Sequence, residues 1–375
     1  MKKLHNEEDW RILKKRMEEG SDERVTISFY QYAKLGNPQL FRDYLFIHWS
    51  ELGVYGRTYV AHEGINAQIS VPLENLDAFR DHVYSISFLN GIRLNIAIDD
   101  DGKSFYKLIV KVRPKILADG LEDETFDVRN RGTHLGAKKF NEITSKDDTI
   151  LIDMRNHYEH EVGYFKNAIT PDVDTFRDSL PYILDNIKGL EDKNLVMYCT
   201  GGIRCEKASA WLKHQGFKNV FQLEGGIIEY ARQVENEKLE NRFIGKNFVF
   251  DERMAEQISD EVVAKCHQCG AACDTHTNCV NSGCHLLFIQ CEKCKEKNEG
   301  CCSPDCRAVI HLPEDEQYKL REGIDRGMLT FKKGRSEHLD HKTIYKPLEA
   351  AIAGIKVSFK LQESRESLVS SREGE

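Results

Sequence analysis

The 375 residues are 40% hydrophobic and 30% charged, the composition of a chain able to bury a core in each of two or three domains. No run approaches the ~20 apolar residues that span a bilayer, and the N-terminal MKKLHNEEDW lacks the apolar segment of a secretory signal, so the residues point to a cytoplasmic protein with no membrane partner. A formal net charge of −8 excludes a nucleic acid, DNA included, held by whole-molecule charge alone, but leaves room for a local basic patch.

In chain order, VTISFYQY at 25–32 reads as a strand. A helix is expected over 38–52, where Leu40, Tyr44, Leu45, Ile47 and Leu52 keep a helical period. Strands follow at GRTYVA and INAQISV, separated by His62-Glu63-Gly64. A second helix starts near Pro72, with Leu76, Phe79 and Val83 on one face, and strands around 92–98 and 105–113 close the segment. The order β-α-β-β-α-β over 22–118 is that of a ferredoxin-like, or acylphosphatase-like, α+β domain.

A charged linker leads to a segment, 145–235, in which the apolar runs TILIDM, NLVMYC and NVFQLEG alternate with helical stretches, the pattern of an α/β domain around a parallel sheet. Residues 233–262 are highly charged and read as helical or linking. A cysteine-rich region completes the segment 236–346. The last residues, 362–375, are polar enough to be read as disordered.

Twelve cysteines are unevenly distributed: Cys199 and Cys205 stand mid-chain, and the other ten crowd between 266 and 306. In NLVMYCTGGIRCEKASAWL the pattern is strand, tight loop, helix. Thr200, Gly201, Gly202, Ile203 and Arg204 form the loop, and its two glycines let successive N–H groups turn inward. Such a nest at a helix N-terminus binds anions. The pKa of Cys199 is therefore expected below its free value of ~8.5, and the same amides would stabilise a persulfide. Loop length bears on the chemistry. Four residues separate Cys199 from Arg204, a ring suited to one sulfur, whereas cysteine phosphatases use a wider five-residue spacing.

This loop resembles the active loop of rhodaneses. Asp153 and Arg155 after TILIDM, Glu159, Gly163, Ala168 and the closing Leu223-Glu224-Gly225-Gly226 extend the resemblance over roughly 85 residues. Tyr164 and Asn167 depart from it, standing where the family has His and Gly. The blander alternatives are an inert buried Cys199 and an Arg204 spent on a structural ion pair. Asp153, Arg155 and Glu159 fit a role in ordering the loop. Cys205 either packs the helix or resolves an oxidised or persulfidated Cys199 as a disulfide.

The cysteine-rich region contains two CxxC pairs, Cys266/Cys269 and Cys291/Cys294, separated by 21 residues. Each CxxC turn brings two thiolates within ~4 Å, as tetrahedral zinc requires. Ten cysteines allow two structural zinc ions: Cys266, Cys269, Cys291 and Cys294 on one, Cys279, Cys284, Cys302 and Cys306 on the other. Cys273, Cys301, His267 and His285 are the substitutes. An iron–sulfur cluster is the rival.

Two basic stretches stand out. One holds Lys103, Lys107, Lys111, Arg113 and Lys115; on a strand, the last four share a face with period two. The other, 326–346, holds Arg326, Lys332, Lys333, Arg335, Lys342 and Lys346. Both suit RNA phosphates, and Lys107, Lys111 and Arg113 are the RNA-binding candidates. A solvated surface is the alternative.

Taken together, AHEGINAQIS at 61–70, CTGGIRC at 199–205 and CHQCGAACDTHTNCVNSGCHLLFIQCEKC from 266 resemble the bacterial oxygen-dependent tRNA uridine(34) hydroxylase family over about residues 25–346. The resemblance implies hydroxylation of the wobble uridine to 5-hydroxyuridine, with tRNA bound at its anticodon loop, dioxygen as co-substrate, an electron donor the residues do not identify, and a persulfide-type catalytic cysteine at Cys199. The residues by themselves suggest sulfur transfer, so a persulfide sulfurtransferase is the alternative. Neither reading sets the oligomeric state.

Overall fold

The computed structural model describes residue 4 and residues 8–20, 22–123 and 125–322; the basic stretch at 326–346 and the tail at 362–375 lie outside them. The chain divides between Glu261 and Val262 into two compact units, each described by itself.

The first unit begins with helix α1 (Trp10–Glu19), capped by the Asp9 side chain accepting from the Arg11 N–H at 2.8 Å. Strand β1 (Arg24–Tyr32), helix α2 (Pro38–Glu51), strands β2 (Tyr55–Ala61) and β3 (Gly64–Pro72), helix α3 (Leu76–Ser85) and strands β4 (Asn95–Ile96) and β5 (Leu108–Val112) follow. Asn37 caps α2 by accepting from the Leu40 N–H, and Pro38 sits in its first turn, where no amide partner is needed. The sheet order is β4-β1-β3-β2-β5. The first four strands pair antiparallel, which is the ferredoxin-like split arrangement, and β5 adds a parallel edge beside β2.

The two faces of this sheet differ because the sequence alternates. Ile27, Phe29, Val60, Ala67, Ile69 and Val110 are buried with Leu45, Trp49, Phe79 and Val83 of the two helices. The opposite face carries Ser28, Tyr30, Arg57, Tyr59, Asn66, Gln68 and Asn95, brought into transverse rows by strand register.

Two expected strands are shorter than the apolar runs implied. The stretch 92–98 pairs only at Asn95–Ile96, and 105–113 only at Leu108–Val112. Between them Asp100 accepts from the Gly102 N–H, and Gly102 takes φ +71°, closing a turn. Lys107, Arg113 and Lys115 thus fall outside the strand and share no strand face with Lys111. Lys115 is instead paired with Asp119 at 2.6 Å.

The next elements are β6 (Thr133–Leu135), α4 (Ala137–Thr144), β7 (Thr149–Asp153), α5 (His157–His160), β8 (Gly163–Phe165), α6 (Phe176–Ile187), β9 (Asn194–Tyr198), α7 (Ile203–His214), β10 (Asn219–Leu223) and α8 (Gly226–Glu237). Strands β6, β10, β9 and β7 form a parallel sheet in that order. Ile152, Leu195 and Met197 pack on one side with Leu180, Ile183 and Leu212; Leu151, Val196 and Tyr198 pack on the other with Phe140, Phe165 and Tyr230. The central strands are apolar on both faces, as a helix-covered parallel sheet demands.

The stretch 233–262 corrects the helical or linking expectation. After α8 it forms β11 (Phe243–Phe248) and β12 (Ala255–Gln257), antiparallel to each other, with β11 also pairing with β8. Its charges conceal Phe243 and Phe248, which are buried; Phe243 packs on Phe165 with ring centroids 5.2 Å apart.

The second unit has a short hairpin, β13 (His276–Asn278) and β14 (Leu287–Ile289), then α9 (Glu292–Asn298), α10 (Pro304–Ile310) and α11 (Glu314–Lys319). Its core is small: Leu286, Phe288, Val309 and Leu320 packed among cysteines. Among the described residues no helix is long and apolar enough to cross a membrane.

Candidate active site

Cys199 follows directly on β9 and precedes α7, so the sheet fixes one side of its loop and the helix the other. Two glycines let the loop close. Gly202 caps α7 at φ +103°, where a Cβ would stand 2.7 Å from the Tyr30 hydroxyl. Gly226, at φ +67°, lies so close beneath the loop that a Cβ would meet the carbonyl oxygens of Cys199 and Thr200 at 2.5 Å. Those carbonyls accept from the Ile228 and Ile227 amides at the start of α8: Ile227 to Cys199 at 3.0 Å, Ile228 to Thr200 at 3.3 Å.

The Gly202 N–H donates to Cys199 Sγ at 3.1 Å. Burial of Cys199 favours the neutral thiol. It is outweighed by a hydrogen bond from the Cys205 thiol, the charge of Arg204 and the amides of Cys205 and Arg204, which together bring the pKa down to about 6. Cys205 is pushed the other way, by burial and then by donating its proton to Cys199.

Arg204 forms a bidentate pair with Glu159, at 2.6 and 2.7 Å, both side chains almost fully buried. Its guanidinium also lies 5.8 Å from the centre of the Phe250 ring. The arginine is thus held by its carboxylate and acts on Cys199 through its charge. Glu159 is fixed in turn by a capping box with Asn156 at the start of α5. Arg155 and Asp153 form a second buried pair, at 2.6 to 3.2 Å, and Arg155 also donates to the Gly163 carbonyl at 2.7 Å. That pair ties β7 to β8 below the loop.

A cavity of about 300 Å³ lies between this loop and the polar face of the first sheet. Cys199, Thr200, Gly201, Ile203 and Arg204 form one wall, and Ser28, Tyr30, Arg57, Tyr59, Asn66, Gln68 and Asn95 the facing one. Its size is at the lower end of small-ligand pockets, sufficient for one base. Lys207 of α7 clasps the sheet onto the loop, pairing with Glu63 at 2.8 Å and with Asp119. The Tyr32 hydroxyl donates to the Ile203 carbonyl at 3.4 Å. A third side comes from Phe250, Asp251, Arg253 and Glu256. Arg253 pairs with Asp251 and Glu256 at 2.6 and 2.8 Å. Burial raises the pKa of Glu256 against the pull of Arg253.

Of the basic candidates, none lines the cavity. Lys111 is exposed and in register with Tyr59, hence on the polar face at the sheet edge. Arg113 lies 5.6 Å from the Tyr59 ring centre, and Lys107 5.5 Å from that of Tyr106. Sequence reasoning missed the facing wall. The alternation Thr26, Ser28, Tyr30 against Ile27, Phe29 carried that signal. Asn95 and Glu256 had none, since tertiary pairing alone brings them in.

In the second unit, the sulfurs of Cys266, Cys269, Cys291 and Cys294 form one group, and those of Cys279, Cys284, Cys302 and Cys306 another, each within 4.8 Å. Cys269 and Cys291 are 3.6 Å apart, Cys284 and Cys302 3.7 Å, Cys302 and Cys306 3.8 Å. A tetrahedral ion with ~2.3 Å bonds to sulfur sets its ligands ~3.8 Å apart. Amides of Cys291 and Cys302 point at Cys266 and Cys279 at 3.4 and 3.5 Å, the secondary contacts that hold thiolates. Both clusters can hold a metal ion. Cys273, Cys301, His267 and His285 belong to neither group.

The parallel sheet with its cysteine loop defines a rhodanese-type domain. Family models agree: "Rhodanese-like domain" matches residues 136–233, "UPF0176 acylphosphatase like domain" residues 24–116, and "Rhodanase C-terminal" residues 244–307. A protein of Photorhabdus laumondii named tRNA uridine(34) hydroxylase is 55% identical over 333 residues, which is 88% of this chain and 95% of that protein. One of the same name from Pectobacterium atrosepticum is 54% identical over 349 residues, 93% of this chain and 98% of its own. The chain belongs to the tRNA uridine(34) hydroxylase family. Among solved structures, the polysulfide-sulfur transferase homodimer of Wolinella succinogenes is 24% identical, covering 29% of this chain and 76% of that one, at a TM-score of 0.24.

Proposed function

We propose that this protein hydroxylates C5 of uridine 34 in tRNA, in the cytoplasm, and that Cys199 carries the reaction. The observation that supports this most is a thiolate of pKa about 6 against a base-sized cavity roofed by polar side chains. Overall, the C5–H bond, dioxygen, two electrons and two protons yield C5–OH and water. Dioxygen is the co-substrate, and the electrons come from a separate donor.

The thiolate has two routes to assist. It adds to C6, shifting the electron pair of the C5–C6 bond toward C5 and O4, so that C5 attacks oxygen reduced to the peroxide level. Loss of the C5 proton and departure of the thiolate then restore the double bond. Alternatively, the peroxide-level oxygen oxidises the Cys199 thiolate to a sulfenate as its O–O bond breaks and water leaves, and the sulfenate passes its oxygen to C5, with the C5 proton ending on the new hydroxyl and the thiolate restored. The amides of Gly202, Arg204 and Cys205 around the sulfur stabilise its anion in both. Arg204 holds the potential that keeps the sulfur ionised, and Glu159 keeps Arg204 in place.

The anticodon loop would lie across the mouth of the cavity, with Lys107, Lys111 and Arg113 against backbone phosphates. Thr200, Gly201, Gly202, Ile203 and Cys205 would shape the sulfur site. The eight clustered cysteines would bind two structural zinc ions; a multi-iron cluster holds its cysteine sulfurs farther apart than these groups do. The same thiolate in an amide ring also suits persulfide transfer, the competing reading. Mass spectrometry of tRNA nucleosides from a deletion strain separates them: loss of 5-hydroxyuridine derivatives supports hydroxylation, and loss of a thiolated base supports sulfur transfer.

A further inference from the structure

The polar wall opposite Cys199 contains one side chain whose bonding is incomplete. Asn95 sits on β4, only two residues long, in register with Ser28 of β1. It is 4% exposed, and its amide oxygen is shielded from solvent with no hydrogen-bond partner among the described residues. Buried amide oxygens in folded proteins are nearly always paired. Asn95 itself is part of the cavity wall beside the sulfur loop. A side chain starting at Gly201 would begin 3.8 Å from the Asn95 amide nitrogen and 3.9 Å from Ser28 Oγ, so the carboxamide rests almost against the loop that holds Cys199.

We infer that Asn95 reads the edge of the base presented to Cys199, its amide oxygen accepting from the ring N3–H of uracil and its amide nitrogen donating to a neighbouring carbonyl. The inference rests on the uridine reading above for the identity of the base. Uracil offers one N–H flanked by two carbonyls, the complement of a carboxamide's acceptor and donor. Cytosine has no N–H at N3 and carries an amino group where uracil has O4, so a carboxamide held this way loses its acceptor bond to N3–H, and loses its donor bond as well where that bond goes to O4. A paired edge also fixes the ring in its plane, which decides whether C5 and C6 face the sulfur. Asn95 touches the base and not the reacting bond, so it sets specificity and position.

Removing an unpaired buried amide should not destabilise the fold. Asn95→Ala is therefore expected to unfold at the wild-type temperature or above. The deciding measurement compares anticodon stem-loops carrying U34 or C34, by fluorescence anisotropy and by turnover to the 5-hydroxy nucleoside. Wild type should favour U34. A bidentate base contact contributes ~10- to 100-fold of discrimination, and Asn95→Ala should lose about that much of the U34/C34 ratio. Affinity for the shared backbone should stay within about twofold, since phosphate contacts dominate it. Asn95→Asp keeps the acceptor but loses the donor; it should lower U34 turnover and raise relative C34 binding, because a carboxylate accepts from the cytosine amino group. A merely structural residue would depress both substrates equally. If the ratio is unchanged in both variants, the inference is wrong. If wild type binds U34 selectively through Asn95 yet forms no 5-hydroxyuridine, the inference stands and the hydroxylase reading falls.

Discussion

The Cys199 sulfur is held by contacts of opposite effect, and their balance sets its charge. Burial alone would raise its pKa; Cys205, Arg204 and the loop amides bring it down to about 6. The folded value lies below the ordinary one of 9.0, so the ionised sulfur stabilises the native state. That contribution is complete above about pH 9, shrinks as pH falls through 6 and is absent below. The native thiolate, followed by its ultraviolet absorbance against a Cys199→Ala blank, should titrate near pH 6. Cys205→Ala, which deletes the thiol hydrogen bond, should move the midpoint up by about one unit; an unmoved midpoint would contradict the assigned cause. Arg204 poses a separate question of stability. Glu159→Gln leaves its guanidinium buried without a counter-charge, a loss of about 3–5 kcal/mol. Urea unfolding monitored on the first unit should show that decrease, and a loss below about 1 kcal/mol would mean that Arg204 finds another partner.

At the scale of elements, the site is made by the polar face of one sheet and the loop at the end of a strand of the other. The sulfur loop was legible in the sequence because it is local: strand, glycines and helix start lie within a dozen residues, and the C-x4-R spacing is intact. The ferredoxin-like order was legible from hydrophobic periodicity. The polar wall was not, because Asn95, Gln68 and Arg57 become neighbours only through register. β11 was hidden for a different reason: Phe243 and Phe248 are embedded in a charged stretch, and their burial depends on pairing with β8. The basic stretch was read too simply, since β5 ends at Val112 and Lys115 is spent on Asp119. Lys111 and Arg113 remain exposed beside Tyr59. Lys111→Glu with Arg113→Glu should weaken tRNA binding several-fold and reduce its salt slope by about 1 per lost phosphate contact. Equal affinity and slope in the double variant would remove this edge from the interface.

At the scale of the whole molecule, the two units are stabilised by different means. The first buries extended apolar cores. The second has a few apolar side chains around eight clustered cysteines, too few to fold by burial alone. Elemental analysis of purified protein should find two zinc ions per chain. Cys266→Ser should lose one and Cys302→Ser the other, and full removal by chelator should erase the secondary structure of this unit. Iron in place of zinc, or one ion per chain, would contradict that assignment. The central claim, that Cys199 drives hydroxylation of a tRNA base, is tested most directly in a strain lacking this protein. There, tRNA nucleosides are measured after supplying the wild type or Cys199→Ala at equal levels. Wild type should restore 5-hydroxyuridine derivatives and the variant should leave them absent; a variant that restores them as fully as wild type would contradict the account.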